Sequence, residues 1–304
     1  MNGIYLLAND AVLDWVITIV ESIRAHHCAL PLCIIAFDER TQRLETLATK
    51  YQFEIWNDQD VSKLDAVGSQ FYPVRPIDAH MFRRLASFWG PFEHFIFADV
   101  DIVALMNWDE LLNAYMTSGS RFWYFGRSET DVYCAGEFLD EFRRQGRAIQ
   151  FNGGFFVSSR HVITFQRMLE LVPRALALRS HLKSSGEQPF FNFYLDSEQI
   201  PVESASAYLP DLYDWNWAPS SFLGRTDFYE IAEREGNFLG KRFPMIHWAG
   251  HDPSSHMPQR EFFLKYRLRN APLRDRLYFM WVWRVRPIFG NMLRALKTLR
   301  VQPQ

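Results

Sequence analysis

A strand-like run of apolar residues that ends in two aspartates constrains the fold of this chain more than any other feature. Residues 95–98 are aromatic, β-branched or small, and residues 102–105 are apolar again. Continuous apolar character without alternation is typical of a strand that is covered on both faces, as in a parallel sheet. Asp99 and Asp101 interrupt the run at positions that share one face of an extended chain. We therefore expect a buried strand with two neighbouring carboxylates at its carboxyl end.

These two carboxylates allow two interpretations. Charges at the end of a core strand are costly unless a cation lies between them, and hard carboxylate oxygens are suitable ligands for a divalent metal ion. The alternative is that Asp99 and Asp101 are solvated turn residues. An Asp-x-Asp sequence alone does not distinguish a metal site from a turn.

The amino-terminal third of the chain alternates strands with helices. Strands are predicted over residues 4–8, 32–37 and 53–56, helices over residues 11–26 and 41–50, and a loop over residues 57–78. This order predicts an α/β fold in which a mostly parallel sheet is flanked by helices and joined by right-handed crossovers. Ligands bind at the carboxyl ends of such strands. The polar residues predicted at those ends are Asn9, Asp10, Asp99 and Asp101.

Three later segments carry further candidates. Gly153 and Gly154 lie near the start of a predicted strand, where glycine marks either a bulge or the close approach of a ligand or another backbone. Glu187 and Gln188 stand at the entrance of a predicted helix, where a capping box is the alternative to a functional role. His247 lies near the end of a short predicted strand, either as a metal ligand or as a structural histidine.

Five short motifs follow one another along the chain. They are Ala8-Asn9-Asp10, Asp99-Val100-Asp101, Asn152-Gly153-Gly154, Glu187-Gln188 and His247-Trp248-Ala249-Gly250. This ordered set resembles the motifs of glycosyltransferases of the GT-A fold, and most of all the retaining family 8, over about residues 3–251. The sequence departs from that family where His251-Asp252-Pro253 replaces a Lys-Pro-Trp-like segment. The usual lysine contact to the pyrophosphate is therefore missing or supplied from elsewhere. In addition, Glu187 replaces the usual aspartate, and Pro189 replaces the acidic residue that usually follows.

The resemblance implies an enzyme that transfers a sugar, with retention, from a UDP-linked nucleotide-sugar donor to a glycan or glycolipid acceptor. It implies Mn²⁺ or Mg²⁺ as the cofactor, bound by Asp99, Asp101 and His247. Such an ion would act as a Lewis acid on the leaving diphosphate. The resemblance also implies that the catalytic residues are Gln188, near the reactive face of the sugar, and its neighbour Glu187.

The same resemblance implies a set of donor-binding residues. They are Ala8, Asn9, Asp10, Arg83, Val100, Asn152, Gly153, Gly154 and Gly250. Of the adjacent pair Arg83 and Arg84, Arg83 is the expected contact of the diphosphate, because its distance from Asp99 along the chain fits the family pattern.

Two other classes of protein remain possible on the sequence. A sugar nucleotidyltransferase of similar fold also uses paired aspartates, but it usually carries a glycine-rich basic segment after the first strand, and residues 8–11 contain none. A sugar-binding relative without turnover is the other alternative, and the intact pair of Asp99 and Asp101 argues against it.

The last part of the chain differs in charge from the rest. From Arg260 onward there are eleven Lys and Arg residues against two acidic residues, so this part is near +9 while the whole chain is −2. We therefore divide the chain into a catalytic domain over residues 1–258 and a basic, aromatic helical tail over residues 259–304. Such a tail favours an anionic membrane surface, and the alternative is a helix packed back on the domain. The residues expected to contact the membrane are Trp281, Trp283, Arg284 and Arg286.

The expected location is cytoplasmic, with the tail peripheral on the inner face of the cytoplasmic membrane. The three cysteines are odd in number and scattered, which favours a reducing compartment. No basic leader precedes the first predicted strand, and no apolar stretch approaches the roughly 18 residues that span a bilayer. Nothing in the sequence indicates a nucleic-acid partner.

Overall fold

The computed structural model describes most of the chain. The described residues are 1–73, 76–126, 132–146, 150–183, 186–213, 237–238, 241–254 and 257–285. Within these ranges, no helix is both long and apolar enough to cross a membrane.

The centre of the fold is a mixed sheet that contains seven strands among the described residues. The strands of this sheet are β1 (Gly3–Ala8), β2 (Leu32–Ala36), β3 (Phe53–Trp56), β4 (His94–Asp99), β6 (Phe122–Tyr124), β7 (Phe155–Ser159) and β8 (Glu203–Ser204). Their spatial order is β3-β2-β1-β4-β7-β6-β8. The pairs among β3, β2, β1 and β4 are parallel, β7 is antiparallel to both β4 and β6, and β8 is parallel to β6. The predicted α/β fold with a mostly parallel sheet is confirmed.

Helices cover both faces of the sheet. They are α1 (Leu13–Ala25), α2 (Gln42–Tyr51), α3 (Gln59–Phe71), α4 (Pro76–His80), α5 (Trp108–Ser118), α6 (Glu137–Arg144), α7 (Phe165–Ala177) and α8 (Gln188–Ser197). A 3-10 segment over Met81–Phe88 leads into β4. Two apolar clusters lie on opposite sides of the sheet, and β4 contributes Ile96 and Ala98 to one and Phe95 and Phe97 to the other. This double burial explains why the strand is continuously apolar.

One predicted loop is a helix instead. Residues 59–71 form α3, and the Asp58 side chain accepts hydrogen bonds from the backbone N–H groups of Asp60 and Val61 at its start. The helix buries an apolar face, which consists of Val61, Leu64, Val67, Gly68 and Phe71. Pro73 and Pro76, which indicated a loop, lie beyond the end of this helix, and the helix contains Gly68 although glycine is a poor helix former. It is needed here because a Cβ on Gly68 would lie 2.4 Å from the carbonyl oxygen of Ala79.

Two small sheets complete the strand content of the described residues. β5 (Ile102–Ala104) pairs antiparallel with β11 (Met245–His247), and β9 (Asn237–Phe238) pairs antiparallel with β10 (Lys241–Arg242). The first of these brings a distant segment of the chain beside the end of β4, because His247 pairs with Ile102.

The described part of the predicted tail packs against the body. Helices α9 (Arg260–Arg267) and α10 (Leu273–Met280) are followed by a π-helical turn over Trp281–Val285. Helix α9 lies on α1, where Arg267 pairs with Asp14 at 2.7 Å. Phe263 is fully buried in the core. The division at residue 258 stays a prediction, although α9 shares the core of the body.

The four residues expected at a membrane have different surroundings. Trp281 is exposed, as predicted. Trp283 is not, because its ring is buried and stacks on Phe263 with the ring centroids 5.1 Å apart. Its assignment as a membrane contact is therefore wrong. Arg284 lies in the π-helical turn, and Arg286 lies outside the described residues.

Candidate active site

Two carboxylates and an imidazole meet at the carboxyl end of β4. The ligand atoms of Asp99, Asp101 and His247 all lie within 4.8 Å of one another. His247 Nε2 is 3.2 Å from Asp101 Oδ1 and 3.9 Å from Asp99 Oδ2. The imidazole is buried, whereas both carboxylates keep about a fifth of their side-chain surface exposed. The group therefore opens to solvent on its carboxylate side.

Backbone hydrogen bonds hold the three candidate ligand residues in place. The Asp99 N–H donates to the carbonyl of Gly154 at 2.7 Å, which anchors the end of β4 to the loop before β7. The Trp248 N–H donates to the carbonyl of Asp101 at 2.8 Å and extends the β5–β11 pairing by one residue. Asp99 comes from the main sheet and His247 from the small one, so the site forms where the two sheets meet.

The electrostatics of this group favour a cation. Burial alone would lower the pKa of His247, but the Asp101 and Asp99 carboxylates reverse this effect and raise it. Burial would raise the pKa of Asp101, but the facing imidazole holds it below its usual range. The pKa of Asp99 is raised, because burial outweighs the attraction of Arg84. Two carboxylates and one imidazole with room for further oxygen ligands form a donor set that fits a divalent ion bound to phosphate.

Gly154 leaves the space that the ligand side chains occupy. A Cβ on Gly154 would lie 2.5 Å from His247 Cε1 and 2.7 Å from Asp99 Oδ2. At Gly153 the nearest atom to such a Cβ is 3.3 Å away, on Arg84. The two glycines of the predicted motif therefore differ, and Gly154 marks a close approach of side chains to the backbone.

Arg84, and not Arg83, is the arginine of this site. The Arg84 guanidinium lies 3.1 Å from Asp99 Oδ1 and 2.9 Å from Glu187 Oε1, and it donates to the carbonyl of Gly153 at 2.9 Å. Arg83 points the other way, to Asp65 and Glu39, and donates to the carbonyl of Ala36. The expected contact of Arg83 with the diphosphate is therefore corrected. Arg84 lies beside Asp99 instead.

The predicted catalytic pair lies on the other side of Arg84. Glu187 is buried, and burial raises its pKa to about 7 although Arg84 opposes the shift. Gln188 Oε1 accepts a hydrogen bond from the Gly153 N–H at 3.0 Å. Asn152 Oδ1 accepts from the Gly154 N–H at 2.7 Å. The motifs around residues 152–154 and 187–188 are thus joined to each other and to the metal-ligand group.

Two adjacent cavities open at this group. The smaller one, about 220 Å³, has Asp99, Asn152, Gly154, Glu187, Gln188 and His247 in its lining. The larger one, about 460 Å³, is lined by the ends of β1 and β2, by the aspartates and by residues 250–252. Met81, Arg84 and Asp99 line both cavities, so the two join beside the aspartates.

The larger cavity is lined by four of the nine residues that were expected to bind the donor, and the smaller cavity by two more, Asn152 and Gly154. Ala8, Asn9, Val100 and Gly250 line the larger cavity. Asp10 is not in its described lining, and the Asp10 carboxylate accepts from the backbone N–H groups of Arg43 and Leu44 at the start of α2. Asp10 is therefore placed as a helix cap, and its role in donor binding stays a prediction.

Several lining residues were missed from the sequence. They are Trp15, Phe37, Arg40, Ile77, Asp78 and Met81. Phe37 and Arg40 follow β2, so the rule that ligands bind beyond strand ends could have identified them. Met81 lies in the 3-10 segment and only tertiary packing brings it to the cavity.

The sequence and the fold both match proteins that act on sugars. Residues 1–176, more than half of the chain, match the family described as "Mannosyltransferase putative". No curated protein sequence matches the chain significantly.

Three solved structures illustrate the structural similarity. Mouse xyloside xylosyltransferase 1 is 13% identical with a TM-score of 0.52, over 82% of this chain and 98% of that chain. Galactosyltransferase LgtC in complex with donor and acceptor sugar analogues is 15% identical with a TM-score of 0.52, over 91% and 99% of the two chains. The glycosyltransferase GlyE of Streptococcus pneumoniae is 14% identical with a TM-score of 0.53, over 92% and 62%. At these identities the similarity shows the fold alone, which is the GT-A fold.

Proposed function

Since the chain belongs to the putative mannosyltransferase family and is a glycosyltransferase, we propose that it transfers a hexose from a nucleoside-diphosphate sugar to a glycan or glycolipid acceptor in a metal-dependent reaction. The single observation that carries this proposal is the Asp99, Asp101 and His247 group at the junction of two cavities. A nucleotide sugar has a diphosphate between two larger groups. The proposed cation site would lie in the same order, beside the place where the two cavities meet.

The sizes of the cavities support one orientation of the donor. The larger cavity, about 460 Å³, would take the nucleoside, and the smaller, about 220 Å³, would take the sugar. The diphosphate would then lie beside Asp99 and Asp101. Mannose is the sugar that the family description suggests, and UDP stays the predicted nucleotide, with GDP as the alternative to be tested.

Asp99, Asp101 and His247 would hold a divalent ion, Mn²⁺ or Mg²⁺, which supplies Lewis-acid stabilisation of the leaving diphosphate. The role of Arg84 is different. Its guanidinium contacts Asp99, Glu187 and the Gly153 carbonyl, so it would orient one proposed metal ligand and one residue of the smaller cavity at once. This ion pair would restrain the Asp99 carboxylate beside the ion.

Gln188 and Glu187 would act on the sugar. The Gln188 side chain reaches the Gly153 N–H and lines the smaller cavity, where its amide could orient the sugar and stabilise positive charge at the reacting carbon. An amide is a poor nucleophile, so a front-face substitution with retention is the proposed stereochemistry. Glu187 and Asn152 would bind sugar hydroxyl groups.

The proposed function is tested by donor binding and by transfer with the full chain. Thermal-shift measurements with UDP-glucose, UDP-galactose and GDP-mannose, each with and without Mn²⁺, should show stabilisation by a nucleotide sugar that requires the metal, because the ion bridges protein and diphosphate. Transfer of labelled sugar from that donor to glycan acceptors should follow, with the anomeric configuration of the product determined by NMR. If instead the protein forms a nucleotide sugar from a nucleoside triphosphate and a sugar phosphate, the nucleotidyltransferase alternative replaces the proposal.

We also propose that α10 binds an anionic membrane surface, where a glycolipid acceptor would be located. Leu273, Leu277 and Trp281 recur every fourth residue on one face of the helix, and all three are more than half exposed. Arg274 lies beside this apolar stripe with 94% of its side-chain surface exposed. An exposed apolar face flanked by cations fits a membrane interface. The opposite face holds Phe279, which is buried.

A single charge in the stripe tests this membrane proposal. Leu277→Glu is expected to reduce co-sedimentation with phosphatidylglycerol vesicles at least about tenfold, since burial of a leucine side chain is worth about 1.5–3 kcal/mol. Leu169→Glu on α7 is the matched control, because Leu169 is an exposed leucine elsewhere. Truncation before Leu273 is a poor test, because it removes Phe279 and Trp283 from the core. If wild type does not sediment, or dimerises through this face, membrane binding is wrong.

A further inference from the structure

The turn that follows β2 contributes to the larger cavity but has no role in the chemistry described above. Phe37 and Arg40 line the cavity from this turn. The Phe37 N–H donates to the carbonyl of Ala8 at 2.8 Å, which continues the β1–β2 pairing and fixes the turn beside the end of β1. The Phe37 ring contacts His80 edge-on, with the centroids 5.5 Å apart and the planes at 65°. The ring is thus held from one side while it borders the cavity.

Arg40 is fixed in spite of its exposure. Two thirds of its side-chain surface is exposed, yet its guanidinium binds Asp38, and so does its backbone N–H at 2.9 Å. Asp38 accepts a further hydrogen bond from the Asn9 Nδ2 at 2.8 Å. Asn9 Oδ1 is bound to the Ala11 N–H. The Asn9 amide therefore holds the turn, and the Arg40 side chain, which lines the cavity, carries further N–H donors beyond the Nε and Nη2 groups that bind Asp38.

Trp15 is the other large aromatic residue of the described lining, and it is less suited to bind a ligand ring. It is only 4% exposed. Its ring packs against Trp248 at 5.6 Å and against Phe263 at 5.0 Å. Phe37, which is half-buried and contacts one ring, offers the more accessible aromatic surface.

We infer that the turn over residues 37–40 is the nucleobase subsite of the donor, with Phe37 as the stacking surface and Arg40 as the hydrogen-bond donor to the base. This inference rests on the proposed function. Every base has a face that stacks on an aromatic ring. A guanidinium carries donors only, so it pairs best with a base edge that presents a carbonyl oxygen, whereas adenine presents an amino donor beside its ring-nitrogen acceptors. The ligand class is therefore a nucleotide with an oxo base, uracil or guanine, rather than adenine.

Binding of free nucleotides tests the stacking residue. In calorimetry with Mg²⁺, Phe37→Leu should weaken the binding of UDP or GDP about tenfold or more, as expected for the loss of one base-stacking contact, and leave inorganic pyrophosphate binding unchanged. Phe37→Tyr, which keeps the ring, should retain affinity. Phe165→Leu is the matched control, because Phe165 is also half-buried and meets Trp89 edge-on. Comparison of UDP with GDP identifies which oxo base is bound.

The preference of the protein among nucleotides tests Arg40 as the hydrogen-bond donor to the base. Arg40→Gln should reduce the preference for UDP or GDP over ADP about tenfold, the change expected when a charged hydrogen bond is lost. Arg40 is exposed, so this variant decides the inference if Phe37→Leu does not fold. Nucleotide binding that neither substitution alters would overturn the inference and leave the proposed function intact. If the wild type binds no nucleotide and transfers no sugar, the proposed function itself fails.

Discussion

Replacement of Asp101 by asparagine is expected to reduce sugar transfer about 100-fold or more, since a Lewis-acid metal contributes several kcal/mol to transition-state stabilisation. The substitution removes one anionic oxygen from the proposed metal site at nearly constant size. It also removes the carboxylate that raises the pKa of His247. Steady-state transfer at saturating Mn²⁺ and calorimetry of Mn²⁺ binding are the measurements.

Asp109→Asn is the control for Asp101→Asn. Asp109 is also a half-buried aspartate, its carboxylate accepts a hydrogen bond from the Ala29 N–H, and it is not among the lining residues of either cavity. It should change transfer little. Both variants should keep a melting temperature within a few degrees of wild type. Near-normal activity of Asp101→Asn at saturating metal would contradict the assignment of the metal site.

Alanine at Gly154 is expected to abolish metal binding, whereas alanine at Gly153 is expected to leave it within a few-fold of wild type. The added Cβ at Gly154 would lie 2.5 Å from His247 and 2.7 Å from Asp99, so two ligands must move. At Gly153 the nearest contact is 3.3 Å, to the end of the Arg84 side chain, so Arg84 has to shift by only a few tenths of an ångström. Overpacking of a filled site typically costs about 1–3 kcal/mol, and here the displaced groups are the ligands.

Comparison of the two glycine variants separates a steric clash of the added Cβ with the proposed metal ligands from an effect of reduced backbone flexibility. Neither Gly153 nor Gly154 has a left-handed backbone conformation, so alanine is sterically allowed by the backbone at both positions. Metal affinity is measured in the absence of a nucleotide sugar, because Gly153 is itself a predicted contact of the nucleotide-sugar donor. Wild-type Mn²⁺ affinity in Gly154→Ala, or equal losses in both variants, would show that the cluster does not bind metal as proposed.

Much of the fold was predictable because its signals are local. The continuous apolar run of β4 is explained by burial on both faces, and Asp99 ends the strand as predicted. The helix at residues 59–71 was missed because Pro73 and Pro76, just beyond it, indicated a loop, and the close contact of Gly68 with Ala79 is tertiary and not visible in the sequence. The fold class therefore follows from periodicity, whereas an individual helix can depend on a contact with a distant segment.

The functional residues were harder to assign where two similar side chains are adjacent. Arg83 and Arg84 are neighbours in a 3-10 segment and point in different directions, one to Asp65 and the other to Asp99. Composition and spacing cannot determine which one faces the site. The same holds for the tail. Trp281 and Trp283 belong to one aromatic and basic pattern, but in the structure Trp281 is exposed and Trp283 is buried in the core.

The pairing of β5 with β11 has a consequence for the order in which the protein matures. His247 reaches the aspartates only when β11 docks on β5, and nearly half of the chain lies between Asp101 and His247. During synthesis the main sheet can therefore form before the third ligand leaves the ribosome. An ion that binds all three side chains favours the docked state by mass action. Metal supply would then influence how completely newly made chains close their carboxyl-terminal segment.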